Sequence, residues 1–300
     1  MILIKHILTV IKSTRPPFLV LSPVCIFLGY SSAILSGSDP EQYLIITVFV
    51  GALCAHISVN TFNEYLDFKS GLDNITEKTP FSGGSGALPE DPQIAATVLA
   101  VAIVCIIITL ILGIYFIYLR GMSLLLLLTV GVSIILAYTR WLNKYPFLCL
   151  IAPGLSFGPL FVVGSHVVLA GSYDLTNFYV SLVPFLLISN LLLLNQYPDI
   201  EADQSIGRNH FPIAYGIKKS NLVYIGMTSL AAVIVIFGVS TSLLPETCLF
   251  CLLPMLVVIP VIYGITKYAD DTQKLIPYLG MNVFVALSTP LTLGISILIY

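Results

Sequence analysis

Long apolar stretches separated by short polar connections run through the whole sequence. Nine of them come close to or exceed the roughly 20 residues that a helix needs to cross a bilayer. In lipid each segment must satisfy its own backbone polar groups, so continuous stretches of this length are predicted to be helices, whereas strands of a membrane barrel would be short and alternating. The pattern therefore predicts an all-α, polytopic membrane protein with nine transmembrane helices, over residues 18–37, 43–66, 93–117, 121–140, 147–170, 177–198, 220–243, 246–267 and 276–299.

A different pattern precedes the first of these stretches. Apolar residues recur at positions 3, 4, 7, 8 and 11, with Lys5, Lys12 and Arg15 interspersed. This spacing is typical of a helix that lies in the membrane interface. A cleavable signal peptide is less expected, because the basic residues continue beyond the apolar ones. Residues 1–17 are therefore predicted to form an interfacial segment.

Composition indicates the same class of protein. Hydrophobic residues make up 57% of the chain and charged residues only 9%, whereas soluble domains contain roughly 25% charged residues. A net charge of −2 gives no reason to expect nucleic acid as a partner, and membrane lipid is the expected surrounding. The six cysteines lie in apolar stretches, where free Cys packs as a small hydrophobic residue. We expect residues 1–300 to form a single membrane domain.

The distribution of basic residues predicts the orientation. If the N-terminus is cytoplasmic, every Lys and Arg except Arg120 falls on the cytoplasmic side, in agreement with the positive-inside rule. Nine spans then leave the C-terminus outside. The two long connections, 67–92 and 199–219, are both cytoplasmic. We expect the functional face to be cytoplasmic, in the cell membrane of a bacterium or an archaeon.

Both long connections follow related polar sequences. The pattern Asn-(Glu/Gln)-Tyr-x-Asp occurs at 63–67 and at 195–199, at the ends of the second and sixth predicted spans, which indicates a weak internal repeat. Asn60 extends the first set by one turn, and Asp73 follows Gly71, where a turn can bring it back to the same place. Residues four apart share one face of a helix, and this spacing relates the members of two sets: Asn63 and Asp67, and Asn195, Asp199 and Asp203.

Two such faces at the same membrane depth would gather several carboxylates around one cavity. Unpaired carboxylates repel one another, and a hard divalent cation relieves this; Mg²⁺ prefers oxygen ligands and shares its shell with water and phosphate. The alternative is that the acids are solvated loop residues that cap helix ends. Carboxylates at a helix C-terminus oppose the helix dipole, however, and acids at membrane depth are costly and usually functional. The pattern thus favours a Mg²⁺ site.

At these residues the sequence resembles the UbiA superfamily of intramembrane aromatic prenyltransferases. The resemblance extends over the whole chain, and its fold is a ring of nine helices around a central cavity with a lateral opening to lipid. Glu64 stands where the commoner first motif has Asp, and it remains an oxygen donor. The form Asp-Phe-x-x-Gly-x-Asp at 67–73 is closer to the 1,4-dihydroxy-2-naphthoate polyprenyltransferase branch than to the 4-hydroxybenzoate branch. The resemblance rests on Arg15-Pro16, the two acidic motifs and Tyr138-Thr139.

The resemblance implies Mg²⁺-dependent transfer of a polyprenyl group from its diphosphate to an aromatic acceptor, here 1,4-dihydroxy-2-naphthoate in the menaquinone pathway. Asp67, Asp199 and Asp203 are then the central catalytic residues. The implied metal ligands are Asn63, Asp67, Asp73, Asp199 and Asp203. Residues expected to bind the diphosphate are Lys78, Arg140, Arg208, Asn60 and Asn195. Aromatic side chains expected to line the cavity, where their ring faces stabilise an allylic cation, are Tyr65, Tyr138 and Tyr197.

Several alternatives stay open at this point. Each basic residue can serve as a topology determinant instead, and each tyrosine as an interfacial anchor. The same chemistry can act on 4-hydroxybenzoate or another acceptor. A secondary transporter also combines internal repeats with intramembrane polar groups, although its site is expected near the midplane. The Gly-rich stretch 82–86 is a flexible loop that can fold over a substrate or present amides to phosphate.

Overall fold

The computed structural model describes residues 2–300. Within this range the chain is helical and contains no β-strand. Short helical turns lie in the connections, at Leu72–Asn74, Ala87–Glu90, Leu142–Lys144, Ile200–Ser205 and Phe211–Tyr215. We number the main helices α1 (Ile2–Ser13), α2 (Pro16–Leu35), α3 (Gln42–Ser70), α4 (Ala95–Arg120), α5 (Leu124–Ala137), α6 (Pro146–Ala170), α7 (Leu175–Asn195), α8 (Ile217–Ser240), α9 (Glu246–Lys267) and α10 (Thr272–Leu298).

Helices α2 to α10 correspond one to one to the predicted spans. Among the described residues, eight helices are long and apolar enough to cross a membrane. Helix α5 is apolar but has only 14 residues, and the chain continues from it through turns into Leu142–Lys144. The predicted all-α, multi-pass membrane fold is confirmed.

Of the helix ends that differ from the prediction, two lie beside the acidic motifs. Helix α3 continues to Ser70, so Asp67 belongs to the helix and not to the connection. Helix α7 ends at Asn195, three residues earlier than predicted, and the chain turns before Ile200. Pro198 explains this ending, because proline lacks an N–H donor and disfavours helical geometry in the residue before it.

The spanning helices form a closed ring. Each helix from α2 to α9 packs against the next one in sequence, and α10 packs against α2. Helix α2 also contacts α6, and α7 contacts α10. The outward faces are apolar: on α4, Val104, Ile111 and Ile114 are 55%, 61% and 61% exposed, which suits a surface that meets lipid. The ring encloses a cavity beside α3.

The contact between α6 and α7 requires small residues. Gly158 lies so close to α7 that a Cβ atom there would come within 2.5 Å of the Ser181 carbonyl oxygen. Small residues of this kind allow membrane helices to approach closely. Around Gly158 the backbone of α6 widens into a π-helical stretch, Ser156–Val163, that contains Pro159. Such wide turns occur mostly at functional sites, and here Phe157 and Phe161 face the cavity.

Helix α1 is amphipathic, as predicted for an interfacial segment. Its exposed apolar side chains are Leu3, Ile4, Ile7, Leu8 and Ile11, each at least half exposed. The other side of the helix contacts the turn Ala87–Glu90, where the Lys12 ammonium donates to the Glu90 carboxylate at 2.9 Å. The apolar side therefore has no protein partner among the described residues, in keeping with a helix that lies against lipid.

Candidate active site

An apolar cavity of about 390 Å³ lies within the helix ring, between helices α2 to α7. Its deeper walls are apolar and include Val48, Ala52, Leu112, Phe116 and Leu160. The acidic, arginine and asparagine side chains gather at the end where α3 and α7 terminate, which we call the Asp end. They include Asn60, Asn63, Asp67, Asp73, Asn195, Asp199, Asp203 and Arg208. An apolar chamber with polar groups gathered at one end suits a ligand with a hydrophobic tail and a charged head.

The first acidic motif forms a stripe along α3. His56, Asn60, Asn63 and Asp67 all line the cavity, because steps of three and four residues keep side chains on one face of a helix. Gly71 then adopts a left-handed backbone (φ 82°), which only glycine takes up without strain. The resulting turn returns Asp73 to the cavity wall, as the sequence predicted.

The second acidic motif is built differently from the prediction. Asn195, Asp199 and Asp203 do not share one continuous helix, because α7 ends at Asn195 and Asp199 immediately precedes the short helix Ile200–Ser205. The Asp203 amide still donates to the Asp199 carbonyl oxygen at 2.8 Å, so a helical turn relates the two acids. All three side chains line the cavity. The prediction that these three residues share one helix face is wrong, but their side chains still meet at the cavity, as that prediction required.

Arg208 connects the two motifs. Its guanidinium donates to Asp203 at 2.9 Å and forms an ion pair with Asp67, and its side chain is only 14% exposed. Burial lowers the pKa of Arg208, but Asp67 and Asp203 outweigh this effect and raise the pKa above its ordinary value. His210 adds a further contact at 3.1 Å from Asp203. The Asp end is therefore held together by one buried cation between carboxylates from the two motifs.

Two carboxyls at this end are not neutralised by a basic partner. Burial, together with the charges of Glu64 and Asp67, raises the pKa of Asp73 to about 7. Burial and the Asp203 carboxylate likewise raise the pKa of Asp199 to about 7. The buried oxygens Asp73 Oδ2, Asp199 Oδ1 and Asn195 Oδ1 have no hydrogen-bond donor. Oxygen atoms left without donors, two of them on acids that stand beside other carboxylates, fit a divalent cation in their chemistry.

The residues do not form a closed protein cage for a metal. Within residues 2–300, no three His, Cys, Asp or Glu side chains stand close enough to share one ion, and guanidinium groups fill part of the space between the acids. This arrangement remains compatible with Mg²⁺, which is commonly bound by one or two carboxylates while substrate phosphates and water complete its shell. The predicted ligands Asn63, Asp67, Asp73, Asp199 and Asp203 stay a prediction.

Four other predicted side chains lie outside the cavity. Tyr65 packs in a separate cluster with Leu88 and Ile94, and Tyr197 is buried in the main core, where its hydroxyl donates to Asn221 at 2.7 Å. Tyr65 lies two residues from the cavity-lining Asn63, and a spacing of two places side chains on different faces of a helix. Tyr197 lies in the turn that follows the end of α7 at Asn195. Their predicted role as cavity aromatics is wrong. Tyr138 does line the cavity.

Lys78 and Arg140 are exposed, and neither lines the cavity. Their predicted contact with a diphosphate is therefore not supported by their position. Among the basic residues of the prediction, Arg208 alone lines the Asp end within the described chain. Asn60 and Asn195 also line the cavity, and the Asn60 side chain donates to the Thr14 carbonyl oxygen at 2.9 Å.

Arg15 is a site residue that was not among the predicted ones. It lines the cavity, donates to Asn63 Oδ1 at 2.8 Å and forms an ion pair with Glu64 at 2.6 Å. The chain carries Arg15 there from the junction between α1 and α2, where its backbone is left-handed (φ 54°). The Arg15-Pro16 pair was the signal in the sequence for this residue. The Gly-rich loop 82–86 also reaches the site, because the Gly83 N–H donates to Asp199 Oδ2 at 3.1 Å.

The fold has close counterparts among solved structures. The apo structure of a UbiA homolog from Aeropyrum pernix K1 matches with a TM-score of 0.71 at 18% identity, covering 94% of this chain and 98% of that one. A UbiA homolog from Archaeoglobus fulgidus, in a structure bound to GPP and Mg²⁺, matches with a TM-score of 0.62 at 11% identity, covering 95% of this chain and 99% of that one. At such identities the likeness concerns the fold.

Sequence comparison gives the family. A 1,4-dihydroxy-2-naphthoate octaprenyltransferase of Bacillus subtilis (strain 168) is 29% identical over 208 residues, which cover 68% of this chain and 65% of that protein. The match thus spans just under two thirds of the relative's length. The model of the UbiA prenyltransferase family matches residues 20–286, which include nearly all of the helix ring and both acidic motifs. The chain belongs to the UbiA prenyltransferase family.

Proposed function

We propose that this protein transfers a polyprenyl group from a polyprenyl diphosphate to an aromatic acceptor, 1,4-dihydroxy-2-naphthoate, in a Mg²⁺-dependent reaction of menaquinone biosynthesis. Residues 1–300 then act as one membrane domain, with the Asp end on the cytoplasmic side of a bacterial or archaeal cell membrane. The name of the Bacillus subtilis relative supports this acceptor. The GPP and Mg²⁺ named for the Archaeoglobus fulgidus structure support the donor and the ion.

One observation carries the proposal: acids from two distant parts of the chain meet at one end of an apolar cavity. Asp67 and Asp73 come from the end of α3, and Asp199 and Asp203 from the end of α7, yet all four line the same space. A diphosphate at this end leaves the rest of the cavity for an apolar polyprenyl chain. A transporter would instead place its polar site near the bilayer midplane, whereas the acidic side chains of this cavity all come from the ends of α3 and α7 or the segments that follow them.

The protein groups at the Asp end have complementary tasks. Those that would hold the metal are Asn63, Asp67, Asp73, Asp199 and Asp203. Mg²⁺, when bound there, would neutralise the diphosphate and stabilise the charge that develops on it. Arg208 and Arg15 supply charge-assisted hydrogen bonds to phosphate oxygens, which requires them to exchange part of their present carboxylate contacts. The N–H groups of the loop 82–86 can add neutral donors to the same oxygens.

Bond cleavage and bond formation then occur next to the Asp end. The bond between prenyl C1 and the diphosphate oxygen breaks, and the electron pair leaves with the diphosphate. The Tyr138 ring lies in the wall where the allylic cation forms, and an aromatic face stabilises a cation. A ring carbon of the acceptor forms the new bond to C1, and the naphthoate carboxyl group departs as CO₂. The apolar walls exclude water, which would otherwise capture the cation.

Purified protein, Mg²⁺ and a radiolabelled prenyl diphosphate, incubated with a panel of aromatic acids, test the proposal. We expect a lipid-soluble product with 1,4-dihydroxy-2-naphthoate and loss of nearly all transfer in Asp67→Asn and Asp199→Asn. Glu201→Gln is the matched control, because Glu201 is an exposed acid on the same segment as Asp199. A product only with 4-hydroxybenzoate would change the acceptor, and no product with any acceptor would favour transport or binding without turnover.

A further inference from the structure

Glu64 is the most deeply buried acid beside the cavity, and its carboxylate is fully occupied. The residue is 0% exposed. Its Oε1 accepts from the Arg15 guanidinium at 2.7 Å and from the Ser85 N–H at 2.8 Å. Its Oε2 accepts from the Ser85 hydroxyl at 2.6 Å. Glu64 does not line the cavity, although it stands in the first acidic motif between Asn63 and Asp67.

The loop 82–86 lies directly on both acidic motifs. Gly84 has a left-handed backbone (φ 71°), and a Cβ atom there would come within 2.7 Å of Asp73 Oδ1 and 3.6 Å of Glu64 Oε1. Gly83 donates to Asp199 on the other side of the cavity. The segment after the loop is firmly anchored, because Leu88 is fully buried and Glu90 pairs with Lys12. Ser85 is therefore where the loop is fastened to α3.

We propose that Glu64 is a positioning residue that holds the loop 82–86 across the Asp end, and not a metal ligand. Three donors already bind the two oxygens of its carboxylate, and a cation would have to displace Arg15 or the loop to take their place. The same carboxylate holds Arg15, which in turn donates to Asn63. One buried acid thus fixes the position of both a loop and an arginine beside the first motif.

The loop contacts also explain why this position carries Glu. Aspartate would draw the carboxylate back toward α3 by one methylene, about 1.5 Å, and both Ser85 bonds would be stretched beyond hydrogen-bond length. The charge beside Arg15 would remain. Because Oε1 also accepts from Arg15, Glu64→Asp weakens the loop contact and the ion pair together, whereas Ser85→Ala removes the hydroxyl contact and leaves the ion pair in place.

Hydrogen exchange of the loop amides in the Mg²⁺-free protein tests the proposal directly. We expect exchange in residues 82–86 to accelerate on the order of tenfold in both Ser85→Ala and Glu64→Asp, because each loses a hydrogen bond to a buried charge. The double variant should exchange no faster than the more affected single variant, since the two partners share one interaction. Ser205→Ala, an exposed serine on the second motif's segment, should leave loop exchange at the wild-type rate.

Enzyme assays provide the second readout, which rests on the proposed function, whereas hydrogen exchange does not. The KM for prenyl diphosphate should rise in Glu64→Asp, while the Mg²⁺ concentration for half-maximal activity stays within about twofold of wild type. Unchanged loop exchange in Ser85→Ala and Glu64→Asp would overturn the proposal. So would a tenfold rise in the Mg²⁺ requirement of Glu64→Asp, because that is the result expected of a metal ligand.

Discussion

Arg208 forms a buried ion pair with Asp67, although 141 residues separate them in the chain. The pair joins the end of α3 to the segment that follows α7. Arg208 also forms an ion pair with Asp203 of that same segment. One guanidinium balances a carboxylate from each motif. The protein's own positive charge therefore helps to organise the Asp end.

This relationship predicts that Arg208 supports both stability and activity. Arg208→Met should leave Asp67 and Asp203 buried without a partner, which costs about 3 kcal/mol when one member of a buried pair is removed. We expect a clearly lower melting temperature of the detergent-solubilised protein and a loss of transfer. Arg140→Met is the control, because Arg140 is exposed and lies outside the cavity. Equal behaviour of the two variants would contradict the bridging role.

Tyr138 and Tyr65 should differ in their effect on turnover. Tyr138 lines the cavity and faces the region where the cation forms, whereas Tyr65 packs against Leu88 and Ile94 away from it. Tyr138→Leu should lower kcat about five- to thirtyfold, in proportion to about 1–2 kcal/mol of lost cation–π stabilisation. Tyr65→Leu should change kcat less than threefold. If the order of the two effects were reversed, the assignment of Tyr138 to the cavity wall would be wrong.

Gly84 should tolerate no side chain because of a steric contact with Asp73. A comparison with Gly37 separates this contact from backbone strain. Gly84 and Gly37 both have left-handed backbones, with φ of 71° and 82°. Alanine at either position incurs roughly 1–2 kcal/mol of backbone strain. Only at Gly84 would the new Cβ atom also meet Asp73, at 2.7 Å, since nothing lies within 4 Å of a Cβ atom at Gly37. We expect Gly84→Ala to lose most transfer activity and Gly37→Ala to retain it, with comparable expression in membranes.

Much of the architecture follows from the hydrophobic pattern. A bilayer forces each apolar stretch to be a helix, so the number and order of the spans were predictable before any contact was known. The i,i+4 spacing of Asn63 and Asp67 placed both on one face, and the structure brings both into the cavity. The turn at Gly71 that returns Asp73 was predictable as well, because glycine adopts the required backbone readily.

The errors concern the direction of side chains around a helix axis. Tyr65 and Tyr197 were grouped with the cavity because they stand inside the repeated motif. The rotation of about 100° per residue turns Tyr65 away from the face that Asn63 presents, whereas Tyr197 follows the end of α7 and packs in the core. The ending of α7 before Pro198 was also missed, because the predicted span ran on through the polar residues Asn195 and Gln196 to Pro198. Sequence distance within a motif is thus a poor guide to which side chains meet.

Contacts between distant segments were beyond prediction. Arg15 and Glu64 are 49 residues apart, and Gly83 and Asp199 are 116 apart. Such pairs depend on how the helix ring closes and on where the connections cross its end. No local spacing in the sequence encodes them. The fully satisfied state of Glu64 could be recognised only when its three donors were located in space.

The central claim is that both acidic motifs bind one prenyl diphosphate through a divalent cation. Equilibrium binding of a radiolabelled prenyl diphosphate to the purified protein, with Mg²⁺ or with excess EDTA and without acceptor, tests it most directly. We predict saturable binding that requires Mg²⁺ and falls at least tenfold in Asp67→Asn and in Asp199→Asn alike, while Glu201→Gln binds as wild type. Undiminished binding in EDTA, or in either aspartate variant, would contradict the claim.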